Sequence, residues 1–148
     1  MKAETNYGNE PTQALSLAQA AKHLGISKAH LANVICGRVG SVPALRHYNP
    51  IGSVHGGYAA ILLDSAMGLA VQSTLPAGTG YTTLEFKISF VRGMSETSGV
   101  VRTEGRVLNA GRRVATAEAR ISDAKDRLIA HATTTCLVFE LPKGNAKG

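Results

Sequence analysis

A chain of 148 residues, 44% of them hydrophobic, is one domain's worth of sequence with enough apolar material to close a core, so a second full domain does not fit. The formal net charge of +6 suits an anionic partner (a nucleic acid, a membrane surface or a phosphorylated ligand) without choosing among them. The longest apolar run, about Tyr58 to Val71, is shorter than a bilayer span and carries Asp64 at its middle, and the N-terminus MKAETNYGNEPTQ lacks the order of a secretory signal; a cytoplasmic protein is expected.

In chain order, residues 1–36 read as an N-terminal helical extension. Its stretch SLAQAAKHLGISKAHLANVICGRV fits a helix-turn-helix template, with Ala21, Gly25, Ile26, Leu31 and Val34 at the buried and turn positions and Lys28, His30 and Asn33 on the exposed face. Only the short polar segment from Met1 to Ser16 precedes Leu17, and a DNA-binding unit needs supporting helices, so two short amphipathic helices packed over a sheet are the preferred reading. Residues 37–142 form the main domain, and 143–148 are a tail expected to fray. Within the domain, Gly37 to His47 is the only room for a first strand, although GRVGSVPALRH patterns poorly as one.

A helix is predicted from about Gly57 to Ser73. Only Asp64, Ser65, Gln72 and Ser73 interrupt its apolar surface, so it must be surrounded by protein. From Thr82 the period changes to two, with Leu84, Phe86, Ile88 and Phe90 alternating against Glu85, Lys87 and Ser89. Three more strands follow. Val101, Thr103, Gly105 and Val107 face inward in the first and Ala115, Ala117, Ala119 and Ile121 in the second. After the Asp123-Ala124-Lys125-Asp126 turn, the third runs from Leu128 to Phe139. The economical arrangement is α+β, one long helix wrapped by a curved antiparallel sheet, and a shallow sheet leaves part of that helix for a second copy to cover. Cys36 and Cys136 are far apart without metal-ligand spacing and read as reduced thiols. His23, His30, His47, His55 and His131 show no ligand spacing either, so no metal is expected.

Three features carry chemistry. Asp64 is a carboxylate too far along the helix to cap it, and burying it without a partner costs several kcal/mol. His55-Gly56-Gly57, preceded by Asn49-Pro50-Ile51-Gly52-Ser53, leaves backbone N–H groups open at a helix N-terminus, a place that can hold a developing oxyanion; it also reads as a glycine turn capped by Ser53. Thr82-Thr83 heads the following strand, where a hydroxyl can hold a water for a carboxylate to activate.

The stretch HYNPIGSVHGGYAAILLDSAMG followed by STLPAGTGYTTLEFKISFVR, continued by GRVLNAGRRVATAEARISDAKDRLIAHATTTCLVF, resembles hot-dog-fold acyl-CoA thioesterases of the phenylacetate-degradation (PaaI-like) type. The resemblance covers roughly residues 46–139. It implies hydrolysis of an acyl-CoA to the free acid and coenzyme A, with no cofactor beyond the coenzyme A of the substrate. The N–H of Gly56 would polarise the thioester carbonyl, Asn49 and His55 order that loop, and Asp64 from the opposite subunit act as general base or nucleophile. Thr83 would steady the water. Gly57 and Tyr58 adjoin the substrate, and Tyr58, Ile61, Leu62 and Met67 are candidates to line the acyl pocket. Arg92 and the hairpin Gly111, Arg112 and Arg113 are candidates for the coenzyme A phosphates, the hairpin preferred. A homodimer or dimer of dimers with the site at the subunit interface is implied. The alternatives are an acyl-CoA-sensing DNA-binding regulator using residues 18–38, and a hot-dog hydratase or dehydratase.

Overall fold

The computed structural model describes residues 37–142. The N-terminal extension, most of the helix-turn-helix-like segment, Cys36 and the tail lie outside the described residues. Five strands and one long helix follow in order: β1 (Arg38–Ser41), α1 (Gly56–Gln72), β2 (Thr79–Phe90), β3 (Val101–Ala110), β4 (Val114–Ser122) and β5 (Leu128–Glu140), with short 3-10 turns at Leu45–His47 and Glu96–Ser98. The strands form one antiparallel sheet ordered β1-β3-β4-β5-β2, curled around α1. This is the hot-dog architecture expected from the sequence.

Small residues set how closely helix and sheet approach. Ala115, Ala117 and Ala119 of β4 and Ala59, Ala66 and Ala70 of α1 are all buried. At Gly105 of β3 a Cβ would lie 2.2 Å from the Ala66 carbonyl oxygen, so the helix backbone rests directly on the strand there. Leu63, Met67, Val71, Val101, Ile121 and Ile129 fill the space to either side. Leu62 and Met67 belong to this core, at 7% and 0% exposure, which corrects their reading as acyl-pocket residues.

The inward faces of β3 and β4 are those the alternation predicts. β2 departs from it. Leu84 and Phe90, expected inward, are 57% and 60% exposed. The β2–β5 register shifts between Thr83 and Glu85, leaving Leu84 as the extra residue of a bulge, and the hydroxyl of buried Thr134 donates to the Glu85 carbonyl beside it at 2.7 Å. Without the bulge, an inward Thr83 would force Glu85 and Lys87 inward; with it, Tyr81, Thr83, Phe86 and Ile88 share the concave face. Phe90 stays on that face but overhangs the start of α1, where only Gly56 lies beneath its ring.

β1 is as short as its sequence suggests: it pairs with β3 from Arg38↔Glu104 to Ser41↔Val101, and Pro43, which has no N–H, follows at once. β1 and β2 are the sheet edges, and β2 is a twelve-residue edge. Among the described residues no helix is long and apolar enough to cross a membrane.

Candidate active site

The loop before α1 is tied by its own side chains. Asn49 Oδ1 accepts from the N–H groups of Ile51 (3.2 Å) and Ser53 (3.1 Å), and Asn49 Nδ2 donates to Ser53 Oγ at 3.1 Å. The backbone closes the same turn, Asn49 N–H donating to the Ser53 carbonyl at 2.7 Å. Val54 N–H then reaches the Met94 carbonyl and His55 N–H the His47 carbonyl, fixing where the helix begins.

His55, not Ser53, is the N-cap. Its Nδ1 accepts the Gly57 N–H at 2.8 Å. A Cβ on Gly57 would lie 2.8 Å from that nitrogen, so the cap needs the glycine. Of the two glycine N–H groups expected to be open, that of Gly57 is therefore engaged. Among the described residues no acceptor meets the Gly56 N–H, which stands at the positive end of the helix dipole. Asn49, Gly56, Phe90, Arg92 and Met94 border a cavity of about 330 Å³ beside it.

Asp64 lies two turns further on, about 12 Å along the helix axis from Gly56. It is half-buried, and its partner is a hydroxyl: Thr83 Oγ1 donates to Asp64 Oδ1 at 2.9 Å. No lysine or arginine pairs with it among the described residues. Ile61, one turn before it, is 67% exposed, so the helix face carrying Asp64 is open. Below Thr83 lies Cys136, its register partner on β5, a buried free thiol. Burial pushes that thiol above its ordinary pKa, against the nearby Thr134 and Thr83 hydroxyls, which lower it. Tyr81, two residues before Thr83, has its phenol pushed up by burial, then by the charge of Asp64 and by Cys136.

The chain thus brings Asn49, His55, Gly56 and Arg92 together at the helix start and Asp64 with Thr83 at its middle, but does not join the two groups. Tyr58 is committed elsewhere. Its hydroxyl bonds Ser41 Oγ and its ring stacks on His47 at 4.2 Å between centroids. Arg112 and Arg113 are exposed in the β3–β4 hairpin, which Gly111 closes by donating to the Val114 carbonyl at 2.9 Å. That hairpin adjoins Leu137 and Val138, at the end of the sheet opposite Arg92. Sequence reasoning passed over Tyr81 and Cys136. The period-two spacing from Thr83 marks Tyr81, whereas Cys136 needed the β2–β5 register. Among the described residues no three His, Cys, Asp or Glu side chains gather to hold a metal ion.

The class defined by this geometry is a hot-dog protein with a carboxylate on an open helix face and a free N–H at the helix start. The thioesterase superfamily model matches residues 51–130, more than half of the chain, and the chain belongs to that family. A candidate esterase of Halobacterium salinarum is 34% identical over 84 residues, 55% of this chain; the match spans 54% of that relative, about half its length. A Bacillus halodurans protein crystallised with CoA is 28% identical, the match covering 70% of this chain and 67% of that one with a TM-score of 0.64. A candidate thioesterase of Ralstonia eutropha, described as phenylacetic acid degradation-related, is 28% identical over 80% of this chain and 88% of its own, with a TM-score of 0.62.

Proposed function

We propose that residues 37–142 form the catalytic domain of an acyl-CoA thioesterase of the PaaI-like type, which hydrolyses its substrate to a carboxylic acid and coenzyme A. The observation that carries this is Asp64, a carboxylate without a cationic partner among the described residues, held by Thr83 on an open face of the helix whose first N–H is free. The relative crystallised with CoA supports coenzyme A as the carrier.

Asp64 takes a proton from water, and the water oxygen attacks the thioester carbonyl carbon. The carbonyl π electrons move onto oxygen, where the Gly56 N–H and the helix dipole stabilise them. Collapse breaks the C–S bond, and the proton held by Asp64 leaves with the thiolate as thiol. In the alternative, Asp64 itself attacks and water hydrolyses the resulting anhydride; a single turnover in ¹⁸O-water places label in Asp64 only by that route. Either way one carbon must lie about 3 Å from both groups, which roughly 12 Å of helix within one chain forbids.

Two copies paired antiparallel along their β2 edges resolve this. A two-fold axis there sets the Phe90 end of one strand against the Thr79 end of the other. The partner's Gly56 loop then approaches this chain's Asp64 and its Arg112–Arg113 hairpin, which would meet the coenzyme A phosphates together with Arg92. Phenylacetyl and medium-chain acyl groups are the first substrates to try.

The test is thiol release from a panel of acyl-CoAs by the wild type, Asp64→Ala and Gly56→Pro. Proline is tolerated at the first helical position, and His55, with φ −61° and ψ 136°, already has the extended conformation a residue before proline adopts. Gly56→Pro therefore removes the N–H while keeping the helix, the exposed Phe90 ring yielding to the new Cβ 3.0 Å from it, and is expected to lower kcat by about 10²–10³-fold. Undiminished turnover in either variant overturns the assigned role, and a wild type inactive on every acyl-CoA overturns the activity.

A further inference from the structure

We propose that Tyr81 is a second hydroxyl of the catalytic centre, one that holds the attacking water between its phenol oxygen and Asp64. The proposal deepens the thioesterase reading and rests on it for the identity of the reacting water.

The geometry starts from Gly68. A Cβ there would lie 2.0 Å from the Tyr81 hydroxyl and 2.7 Å from the ring carbon bearing it, so the phenol lies on the helix backbone in a space that only glycine leaves. Gly68 follows Asp64 by one turn, and positions so spaced stand about 5–6 Å apart at Cβ on one helix face. From the strand side, Tyr81 and Thr83 are alternate residues of β2 ahead of the bulge, so both side chains point at α1. Thr83 meets Asp64 directly at 2.9 Å, and Tyr81 meets the helix one turn further on.

The two hydroxyls are not equivalent. Thr83 donates to Asp64 Oδ1, whereas no protein partner meets the Tyr81 hydroxyl among the described residues. Tyr81 is half-buried and its oxygen is not sealed from solvent, so a water can reach it. Gly68, which the phenol covers, and Asp64 stand one helical turn apart, a spacing that a single water can bridge with two hydrogen bonds. Burial, the Asp64 charge and Cys136 all favour the protonated phenol, so Tyr81 remains a donor. A water that accepts from Tyr81 and donates to Asp64 turns a lone pair outward, toward the open face beside Ile61 where a thioester would arrive.

Tyr81→Phe keeps the ring on Gly68 and removes the donor. In the full chain it is expected to lower kcat about tenfold, the worth of one hydrogen bond to the nucleophile, with KM within twofold of the wild type. A residue that merely walls the acyl pocket would move KM and acyl preference and leave kcat, so kcat within twofold of the wild type overturns the proposal. Gly68→Ala, which drives the phenol off the helix, should show the same kcat loss and add nothing to Tyr81→Phe in the double variant; additive losses count against a shared water. The readout independent of turnover is a crystal structure resolving ordered water. A water within hydrogen-bond distance of both Tyr81 Oη and Asp64 in the wild type, missing in Tyr81→Phe, is expected, and its absence from the wild type overturns the proposal. If the wild type hydrolyses no acyl-CoA, the thioesterase reading falls, and this crystallographic result still decides Tyr81.

Discussion

Asp64 lies half-buried on a helix whose neighbouring positions are apolar or small, and its one hydrogen-bond partner among the described residues is the Thr83 hydroxyl. A charge so placed is retained at a cost to stability, because water is partly removed and no cation among the described residues replaces it. Asp64→Asn keeps an acceptor for Thr83 and removes the charge. It should leave the melting temperature unchanged or raise it while lowering kcat at least 10²-fold, whereas a structural carboxylate would give a destabilised variant. Asp123 shows the opposite design. Its carboxylate accepts from the Arg127 and Lys125 N–H groups, both at 2.9 Å, and from Arg127 Nε at 2.8 Å. These bonds, the Arg127 N–H foremost, hold its pKa down from 3.8 to about 2. With the folded value below the unfolded one, this stabilisation is complete above pH 3.8 and fades as pH falls toward 2. Asp123→Asn should therefore be less stable than the wild type at pH 6, and melts taken down to pH 2 should show the gap closing over that window. Both acids are visible in the sequence. What distinguishes them is not, since Asp123 finds Arg127 within its own turn while Asp64 finds Thr83 nineteen residues away across the helix–sheet interface.

At the scale of elements, the inward faces of β3 and β4 were legible because one side of each strand meets the helix and the other meets water, so burial writes itself into a period of two. The same reasoning misplaced Leu84, because a bulge changes which residues face inward without altering the run of apolar residue types; Phe90 keeps the inward face but is exposed where it overhangs the helix start. The bulge presents Tyr81 and Thr83 to α1 while Phe86 and Ile88 still reach the core. Deleting Leu84 forces one of these pairs outward. If Phe86 and Ile88 keep their places, the deletion variant folds with Thr83 turned away and thiol release falls to the level of Asp64→Asn; if Thr83 keeps its place, Glu85 and Lys87 enter the core and the melting temperature falls sharply. A variant with wild-type stability and turnover would mean that the bulge has no part in presenting the site. The helix start was legible as a glycine-rich turn, but the identity of its cap was not, since choosing His55 over Ser53 depends on which side chain the 49–53 loop has already consumed.

For the molecule as a whole, the single chain offers half a site at each of two places: a free N–H at Gly56 and a carboxylate at Asp64, separated by about 12 Å of rigid helix. No rotamer brings them together, so if the protein is a thioesterase, each site must draw on two chains. The twelve-residue β2 edge with Leu84 exposed along it and Val91 just beyond its end, and Ile61 exposed on the helix, are the surfaces such pairing would cover. The arrangement makes a quantitative prediction. Asp64→Asn and Gly56→Pro chains, each inactive alone, are mixed in equal amounts, unfolded and refolded together. If chains pair at random, half of the dimers are mixed, and each mixed dimer has one site with both defects and one with neither. Activity should therefore return to about a quarter of the wild-type value, with sedimentation confirming dimers or larger assemblies. A site built within one chain would give no recovery, because every chain in the mixture carries a defect. Recovery near a quarter would tie the free N–H of one chain to the carboxylate of another.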